Sequence, residues 1–197
     1  MSNDQISEST NQDVTALIPS WACGSTNSMT IDLAALIQQG VTLHQQGMIV
    51  QARFFYERVL QFDPFNFDAL HLLGVISAQL YDPQRAVELI SRAIDINATS
   101  APAYNNRGNA LKDLGFFEQA IGNYDRAVEL APEYAEAFRN RGDALRDLGR
   151  LEAALISYNH ALACDKAYAE AFNNRGNVLA TLGRLEEALT SYNDALA

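Results

Sequence analysis

The chain of 197 residues is long enough for one or two domains, and its 48% apolar content is sufficient for a continuous buried core. Its net charge of −10 argues against a nucleic-acid partner and against docking on an anionic membrane, because both surfaces attract clustered basic residues. No apolar run reaches the roughly 18 residues of a membrane span, and the N-terminus lacks the basic and apolar regions of a signal peptide.

The two cysteines, Cys23 and Cys164, do not form a disulfide framework. Unpatterned cysteines are typical of a reducing compartment, so we expect a cytoplasmic protein. Cys164 takes a place that is apolar in the neighbouring repeats defined below. We therefore expect it to be a small buried residue.

Residues 1–29 are rich in Ser, Asn, Thr and Gln and contain no Lys or Arg, which predicts a disordered polar leader. An apolar segment from Ala16 to Ala22 contains Trp21. Two interpretations remain open. The segment is a chance cluster in a floppy leader, or Trp21 and Leu17 dock onto the first helix or into a groove of the folded region.

The remainder of the chain predicts helices in pairs. Thr30 or Asp32 can cap a first helix that ends near Gln46, where Gly47 adopts the left-handed conformation. A second helix ends near residues 63–64. Further along, Asp82 and Pro83 form a cap followed by a first-turn proline. Stops between later helices are predicted at three glycines: Gly115, Gly149 and Gly183.

The predicted helices follow a period of 34 residues. Residues 135–163 and 169–197 are identical at 21 of 29 positions, and residues 101–134 repeat the pattern. Such a period predicts stacked pairs of helices, which we call the A and B helices of each repeat. The predicted solenoid covers residues 30–197, with repeats at 33–66, 67–100, 101–134, 135–168 and, incomplete, 169–197.

Small residues recur where the two helices of a repeat would approach. Counting from the start of each repeat, position 8 is always Gly, position 20 is always Ala, and position 24 is Tyr in four repeats and Ile in the second. A glycine inside a helix costs about 1 kcal/mol relative to alanine. We therefore predict a close helix crossing in which Gly at position 8 meets Ala at position 20, with the position 24 side chain beside them.

These small, aromatic and proline positions resemble the tetratricopeptide repeat family over residues 33–197. The resemblance implies an all-α fold, a right-handed superhelical solenoid of about five helix-turn-helix hairpins, whose concave face binds extended peptides. The second repeat departs from the pattern with Ser77 at position 11 and Tyr81 at position 15, where the other repeats have Leu and Gly. Its turn geometry is therefore the least defined by the sequence.

The A helices of the last three repeats carry a polar ladder that we predict to be a peptide-binding groove. Asparagine is only a middling helix former, so nothing local requires it there. The position 6 asparagines resemble the ladder of the O-linked N-acetylglucosamine transferases, which implies that their amides hold a peptide backbone. The alternative is that duplication copied the surface without selection for binding. The groove residues are Asn105, Arg139 and Asn173 at position 5, Asn106, Asn140 and Asn174 at position 6, and Asn109, Asp143 and Asn177 at position 9.

Position 7 carries Arg107, Arg141 and Arg175. We expect these arginines to be structural, with stems along the helix and heads reaching a neighbouring acid such as Asp125, rather than ligand contacts. The groove does not match the carboxylate clamp of chaperone-binding family members. An acidic C-terminal tail is therefore not a predicted ligand.

The sequence predicts no enzyme within these residues, and no cofactor or metal. His44, His71 and His160 lie apart and lack an acidic or thiolate third ligand. The chain contains no glycine-rich phosphate loop and no set of nucleophile, base and orienting group.

We therefore predict a protein–protein interaction scaffold that binds a peptide or partner segment in the groove. One alternative is the substrate-selecting arm of a longer bacterial glycosyltransferase. A second is self-association through the final helix, whose Leu189, Tyr192 and Leu196 we expect to be uncovered because solenoids normally end in a polar capping element.

Overall fold

The computed structural model describes residues 31–196, and all regular elements in that range are helices. They are α1 (Leu33–Gln45), α2 (Ile49–Phe62), α3 (Phe67–Gln79), α4 (Pro83–Ile96), α5 (Ala101–Asp113), α6 (Phe117–Leu130), α7 (Ala135–Asp147), α8 (Leu151–Cys164), α9 (Ala169–Thr181) and α10 (Leu185–Leu196). The predicted all-α solenoid of helical hairpins is confirmed. The predictions for the leader, including docking of Trp21 and Leu17 and capping by Thr30, lie outside the described residues.

Each A helix, α1, α3, α5, α7 or α9, packs against the B helix that follows it, and each B helix packs against the next A helix. A 34-residue hairpin leaves one apolar stripe uncovered until a neighbour stacks on it. Accordingly, the main core cluster runs through several hairpins without interruption, from Leu111 through Leu145 to Leu179.

The close approach within each hairpin centres on the glycine at position 8. A Cβ atom built on Gly142 would lie 2.5 Å from Cε1 of Tyr158, and equivalent contacts at 2.5–2.6 Å arise at the other position 8 glycines. The position 20 alanine of this hairpin, Ala154, is fully buried. The predicted close crossing is therefore present, but the side chain at position 24 takes the space beside the glycine that the prediction gave to alanine.

The turns between A and B helices all use the same backbone conformation. Gly47, Gly115, Gly149 and Gly183 have φ between 73° and 79°. In each turn, the amide nitrogen one residue further on donates to a carbonyl five residues back, as from Phe116 to Leu111 at 2.9 Å. This is the Schellman arrangement that ends many helices. The turn of the second repeat keeps this geometry although Tyr81, at φ 61°, replaces glycine.

Two further local predictions have different outcomes. Asp82 caps α4 as predicted, because its carboxylate accepts a hydrogen bond of 3.0 Å from the amide nitrogen of Arg85. The prediction that Cys164 is buried is wrong, because Cys164 is exposed. Position 30 is the last turn of the B helix and lies at the edge of the stack, where Phe62 and Ile96 are also exposed.

Candidate functional site

The A helices form the inner face of the stacked hairpins. Successive A helices approach one another, since Cα atoms of α3 and α5, of α5 and α7, and of α7 and α9 lie within 8 Å. Successive B helices in residues 31–196 are farther apart and make fewer such approaches. A stack whose A helices are closer together than its B helices curves toward the A side. We call this inner side of the A helices the concave face.

Position 6 asparagines link successive A helices across the concave face. Asn106 donates through Nδ2 to Nε2 of His71 at 3.0 Å. Asn140 donates to Oδ1 of Asn105 at 2.9 Å. The predicted ladder thus directs its amide nitrogens at the preceding repeat, where they stabilise the stack.

Asn174 completes the series by donating to Oδ1 of Asp143 at 2.9 Å. Three side chains of these links, in the third and fourth repeats, are buried. Asn140 is only 2% exposed and Asp143 only 5%, while Asn105 is fully buried. The structure therefore removes Asn105, Asn140 and Asp143 from the surface that a ligand can reach, because their polar atoms serve contacts between repeats.

Position 9 has a structural task that the sequence analysis missed. Asn109 accepts a hydrogen bond of 2.8 Å from the hydroxyl of Tyr124. Asp143 accepts one of 2.8 Å from Tyr158, and Asn177 one of 2.9 Å from Tyr192. The signal was available: the three repeats with Asn or Asp at position 9 all have Tyr at position 24.

The first repeat shows what happens when this acceptor is missing. Position 9 is Val41 there, and the buried hydroxyl of Tyr56 has no hydrogen-bond partner within the described residues. Burial raises the pKa of Tyr56. The pKa of Tyr158 is also raised, first by burial and then by the charge of Asp143. These phenols therefore stay protonated and donate wherever an acceptor is present.

Two of the position 5 side chains reach the start of the next A helix. Asn105 donates at 3.3 Å to both Tyr134 and Glu136. Burial, reinforced by Glu136, raises the pKa of Tyr134 to about 12. Arg139 likewise donates to the Tyr168 hydroxyl at 3.2 Å.

Arg139 is the most heavily engaged cation of the concave face. Its guanidinium lies 2.8 Å from Asp143 and 3.4 Å from Glu170. Burial opposes its charge, but the Tyr168 hydroxyl and Asp143 outweigh that effect and raise its pKa. Arg139 is therefore a neutralised structural cation, although it belongs to the predicted groove.

The remaining predicted groove residues keep polar atoms that other residues do not use. Asn106, Asn109 and Asn174 are half-buried, and Asn173 and Asn177 are exposed. The side chain of Asn173 makes no hydrogen bond with the described residues. The reachable part of the predicted groove therefore consists of these five asparagines, on α5 and α9.

The arginines at position 7 are structural, as predicted. Arg141 donates at 2.6 Å to Asp125 on the preceding B helix and at 2.6 Å to Ser157 on its own B helix. Arg107 and Arg175 make the corresponding hydrogen bonds to serine and asparagine, and Arg175 also lies 3.7 Å from Asp194 on its own B helix. Each arginine thus ties three helices together on the side away from the concave face.

The last helix exposes part of an apolar face. Leu189 is 61% exposed and Leu196 is 87% exposed, in line with the prediction. Tyr192 differs, because it is half-buried and its hydroxyl donates to Asn177 of its own repeat. The uncovered surface of α10 is therefore aliphatic, and it includes Leu185 at 67% exposure.

The histidines have separate partners. His44 pairs with Gln79 at 2.8 Å, His71 accepts from Asn106, and His160 stacks on Phe138 with ring centroids 5.1 Å apart. Across residues 31–196, no group of three or more His, Cys, Asp or Glu side chains is arranged to hold a metal ion. None of the helices described above is both long and apolar enough to cross a membrane.

Comparison with known proteins identifies similar sequences. Two family models, both described as Tetratricopeptide repeat, match residues 105–169 and 157–190. Over 76 residues, 39% of this chain, the sequence is 36% identical to the UDP-N-acetylglucosamine--peptide N-acetylglucosaminyltransferase of Caenorhabditis elegans. The match covers 7% of that enzyme, so the chain spans only a small part of its length.

Solved structures share the fold. The crystal structure of MamA is 26% identical with a TM-score of 0.72, over 80% of this chain and 92% of that one. The crystal structure of YrrB, described as a TPR protein with an unusual peptide-binding site, is 24% identical with a TM-score of 0.67, over 84% of this chain and 85% of that one. At this identity the second likeness concerns the fold alone.

Proposed function

We propose that this chain, which belongs to the tetratricopeptide repeat family, is a protein–protein interaction scaffold that holds a peptide or partner segment on its concave face. One observation carries the proposal: asparagines on α5 and α9 retain unused amide groups on that face. The resemblance to the tetratricopeptide repeat family supports a peptide as the ligand class.

The unused groups are complementary to a polypeptide backbone. Asn106 and Asn174 donate through their amide nitrogens, so their carbonyl oxygens remain available as acceptors. Asn109 and Asn177 accept through their carbonyl oxygens, so their amide nitrogens remain available as donors. Because an extended backbone alternates N–H and C=O groups, a surface that offers both can hold it without reading its sequence.

The substitution Asn109→Asp tests the role of these amides. It replaces the free donor by an acceptor but keeps an oxygen for the Tyr124 hydroxyl, as Asp143 does for Tyr158 in the next repeat. We expect the fold to persist and the affinity for concave-face peptides to fall about five-fold, the equivalent of one lost hydrogen bond of about 1 kcal/mol. Random twelve-residue peptides selected against the immobilised chain serve as probes.

A matched control adds the same charge on the other side of the stack. Asn159→Asp lies on α8, where Asn159 accepts from Arg175, and Asp125 occupies the equivalent place on α6. We expect this variant to bind selected peptides like the unsubstituted chain. Equal affinity of all three proteins for every selected peptide would contradict a concave-face site.

A second candidate is the substrate-selecting arm of a longer bacterial glycosyltransferase. The identity of 36% to a 76-residue part of the Caenorhabditis elegans transferase favours it. The role of these residues would again be to hold a polypeptide, without catalysis of their own. Sequencing of the gene beyond the codon for Ala197 tests this candidate, because it requires a nucleotide-sugar-binding domain in the same reading frame.

A third candidate is self-association through the aliphatic face of α10. This face exposes an apolar strip whose burial against a second copy would be favourable, formed by Leu185, Leu189 and Leu196. Sedimentation equilibrium should then reveal dimers whose fraction rises with concentration and falls with Leu189→Asp. A strictly monomeric species at high concentration would contradict self-association.

In each candidate function we place the protein in the cytoplasm, which fractionation of the native cells would check.

A further inference from the structure

The concave face has two chemically different halves. In the first two repeats, four of the six side chains at positions 5, 6 and 9 are apolar and half-buried, namely Ile37, Val41, Leu72 and Val75, and the other two are Gln38 and His71. In the later repeats these positions carry the asparagines described above. The bond between His71 and Asn106 joins α3 to α5, so the apolar half passes directly into the amide half.

A single unpaired cation lies at the boundary between the halves. Lys112 stands at position 12 of α5, one helical turn after Asn109, and its side chain makes no ion pair or hydrogen bond within the described residues. In the next repeat Arg146 holds the same position and lies 3.6 Å from Oδ1 of Asp143 and 2.9 Å from Asp147. Position 12 therefore lies beside position 9, but in the third repeat position 9 is a neutral asparagine.

Lys112 differs from the other cations of the concave face because those cations have ion-pair partners. Arg139 is neutralised by Asp143 and Glu170, and Arg146 by Asp147. Lys112 instead makes no ion pair with Asp113, which occupies the place of Asp147, and it stands one helical turn after Asn109, whose amide nitrogen is free. Two adjacent donors, one of them charged, form a place for a carboxylate.

We propose that the bound segment carries an apolar side chain that packs on Leu72 and Val75 and an internal Asp or Glu that pairs with Lys112 and Asn109. This inference rests on the proposed function and names the chemistry of its partner. Because the chain carries a net charge of −10, an acidic residue of the bound segment would be repelled elsewhere on the surface, which favours its placement beside Lys112.

The spacing of the two side chains follows from the stack. Neighbouring packed helices are about 8–10 Å apart, and an extended chain advances about 3.3 Å per residue. The acidic residue therefore lies about three residues from the apolar one. Peptides selected by the chain should share this pair of side chains at this spacing.

The test uses peptides selected from a random twelve-residue library against the full chain. We expect enrichment of an apolar residue and an acidic residue about three positions apart. Lys112→Glu should weaken the best synthetic peptide at least five-fold, since an exposed ion pair is worth up to about five-fold and reversal adds repulsion. Exchange of the peptide's acidic residue for Lys should restore its affinity for that variant.

Lys166→Glu is the matched control, because Lys166 is exposed in the turn before α9 and also lacks an ion pair among residues 31–196. This variant should bind the peptides unchanged. Peptides that lack the acidic residue and weaken with Asn109→Asp but not with Lys112→Glu would overturn this inference and leave the proposed function standing. Failure to select any peptide that responds to concave-face substitutions would overturn both.

Discussion

Removal of a single hydroxyl group should have opposite effects in two repeats of this chain. Tyr56 and Tyr124 occupy the same repeat position, and both side chains are fully buried. The Tyr124 hydroxyl donates to Asn109 at 2.8 Å, whereas the buried Tyr56 hydroxyl has no partner among the described residues because Val41 replaces the asparagine. The substitutions Tyr56→Phe and Tyr124→Phe therefore isolate the effect of the acceptor.

The magnitudes follow from these contacts. Tyr124→Phe removes a neutral hydrogen bond and leaves the carbonyl oxygen of Asn109 without its donor, which should lower the free energy of unfolding by about 1 kcal/mol. Tyr56→Phe removes a buried hydroxyl that gave up its water without compensation, so the free energy of unfolding should rise by about 1 kcal/mol. Val41→Asn should be stabilising with Tyr56 present and lose that benefit in the Phe background.

Urea unfolding followed by far-ultraviolet circular dichroism measures these differences. The curves should be fitted with coupled nearest-neighbour repeats, because a repeat array need not unfold in one step. The midpoint should move up for Tyr56→Phe and down for Tyr124→Phe. A loss of stability in Tyr56→Phe equal to that in Tyr124→Phe would refute the reasoning, since the hydroxyl of Tyr56 would then have a favourable interaction.

Three further predictions concern packing, backbone strain and protonation. Gly142→Ala should lower the free energy of unfolding by about 1–3 kcal/mol, because the new Cβ would lie 2.5 Å from a ring carbon of Tyr158. Gly122→Ala should raise it by about 1 kcal/mol, because no neighbouring atom lies within 4 Å of the new Cβ. Equal thermal midpoints of the two variants would contradict the close approach at Gly142. Tyr81→Gly should stabilise by about 1 kcal/mol, because Tyr81 is 94% exposed and adopts a left-handed φ of 61°; a lower urea midpoint would contradict strain there. Burial lowers the pKa of His71, against the pull of Asp68, so the unfolded chain binds this proton more tightly. The free energy of unfolding should therefore fall as the pH drops below about 6.5, and it should fall less steeply in His71→Gln. The same dependence of stability on pH in both proteins would contradict a lowered pKa of His71.

Local patterns in the sequence predicted the fold well. The 34-residue period, the glycines in the turns and the cap at Asp82 all involve residues whose roles follow from helix geometry and close sequence neighbours. The second repeat tested this limit. Its turn keeps the common geometry without glycine, because Tyr81 adopts the left-handed φ of 61° and the amide nitrogen of Asp82 still donates to the carbonyl of Ser77.

The candidate site was less predictable, because its side chains choose among partners about 15 or 35 residues away. The sequence could not reveal that Asn140 uses its amide on Asn105 and is thereby buried. The bond from Tyr124 to Asn109 was signalled only by the joint occurrence of Tyr at position 24 and Asn or Asp at position 9. Nor could the sequence reveal that Lys112 makes no ion pair with Asp113, although Arg146 pairs with Asp147 at the same positions of the next repeat.

The sequence by itself determined that the chain is a stack of helical hairpins, because helix periodicity, glycine and alanine act over one or two turns. Only the tertiary structure decided which polar groups are used within the stack and which remain for a ligand. A hydrogen-bonding group can satisfy one partner at a time, and the partner is set by distances between repeats that no single repeat encodes.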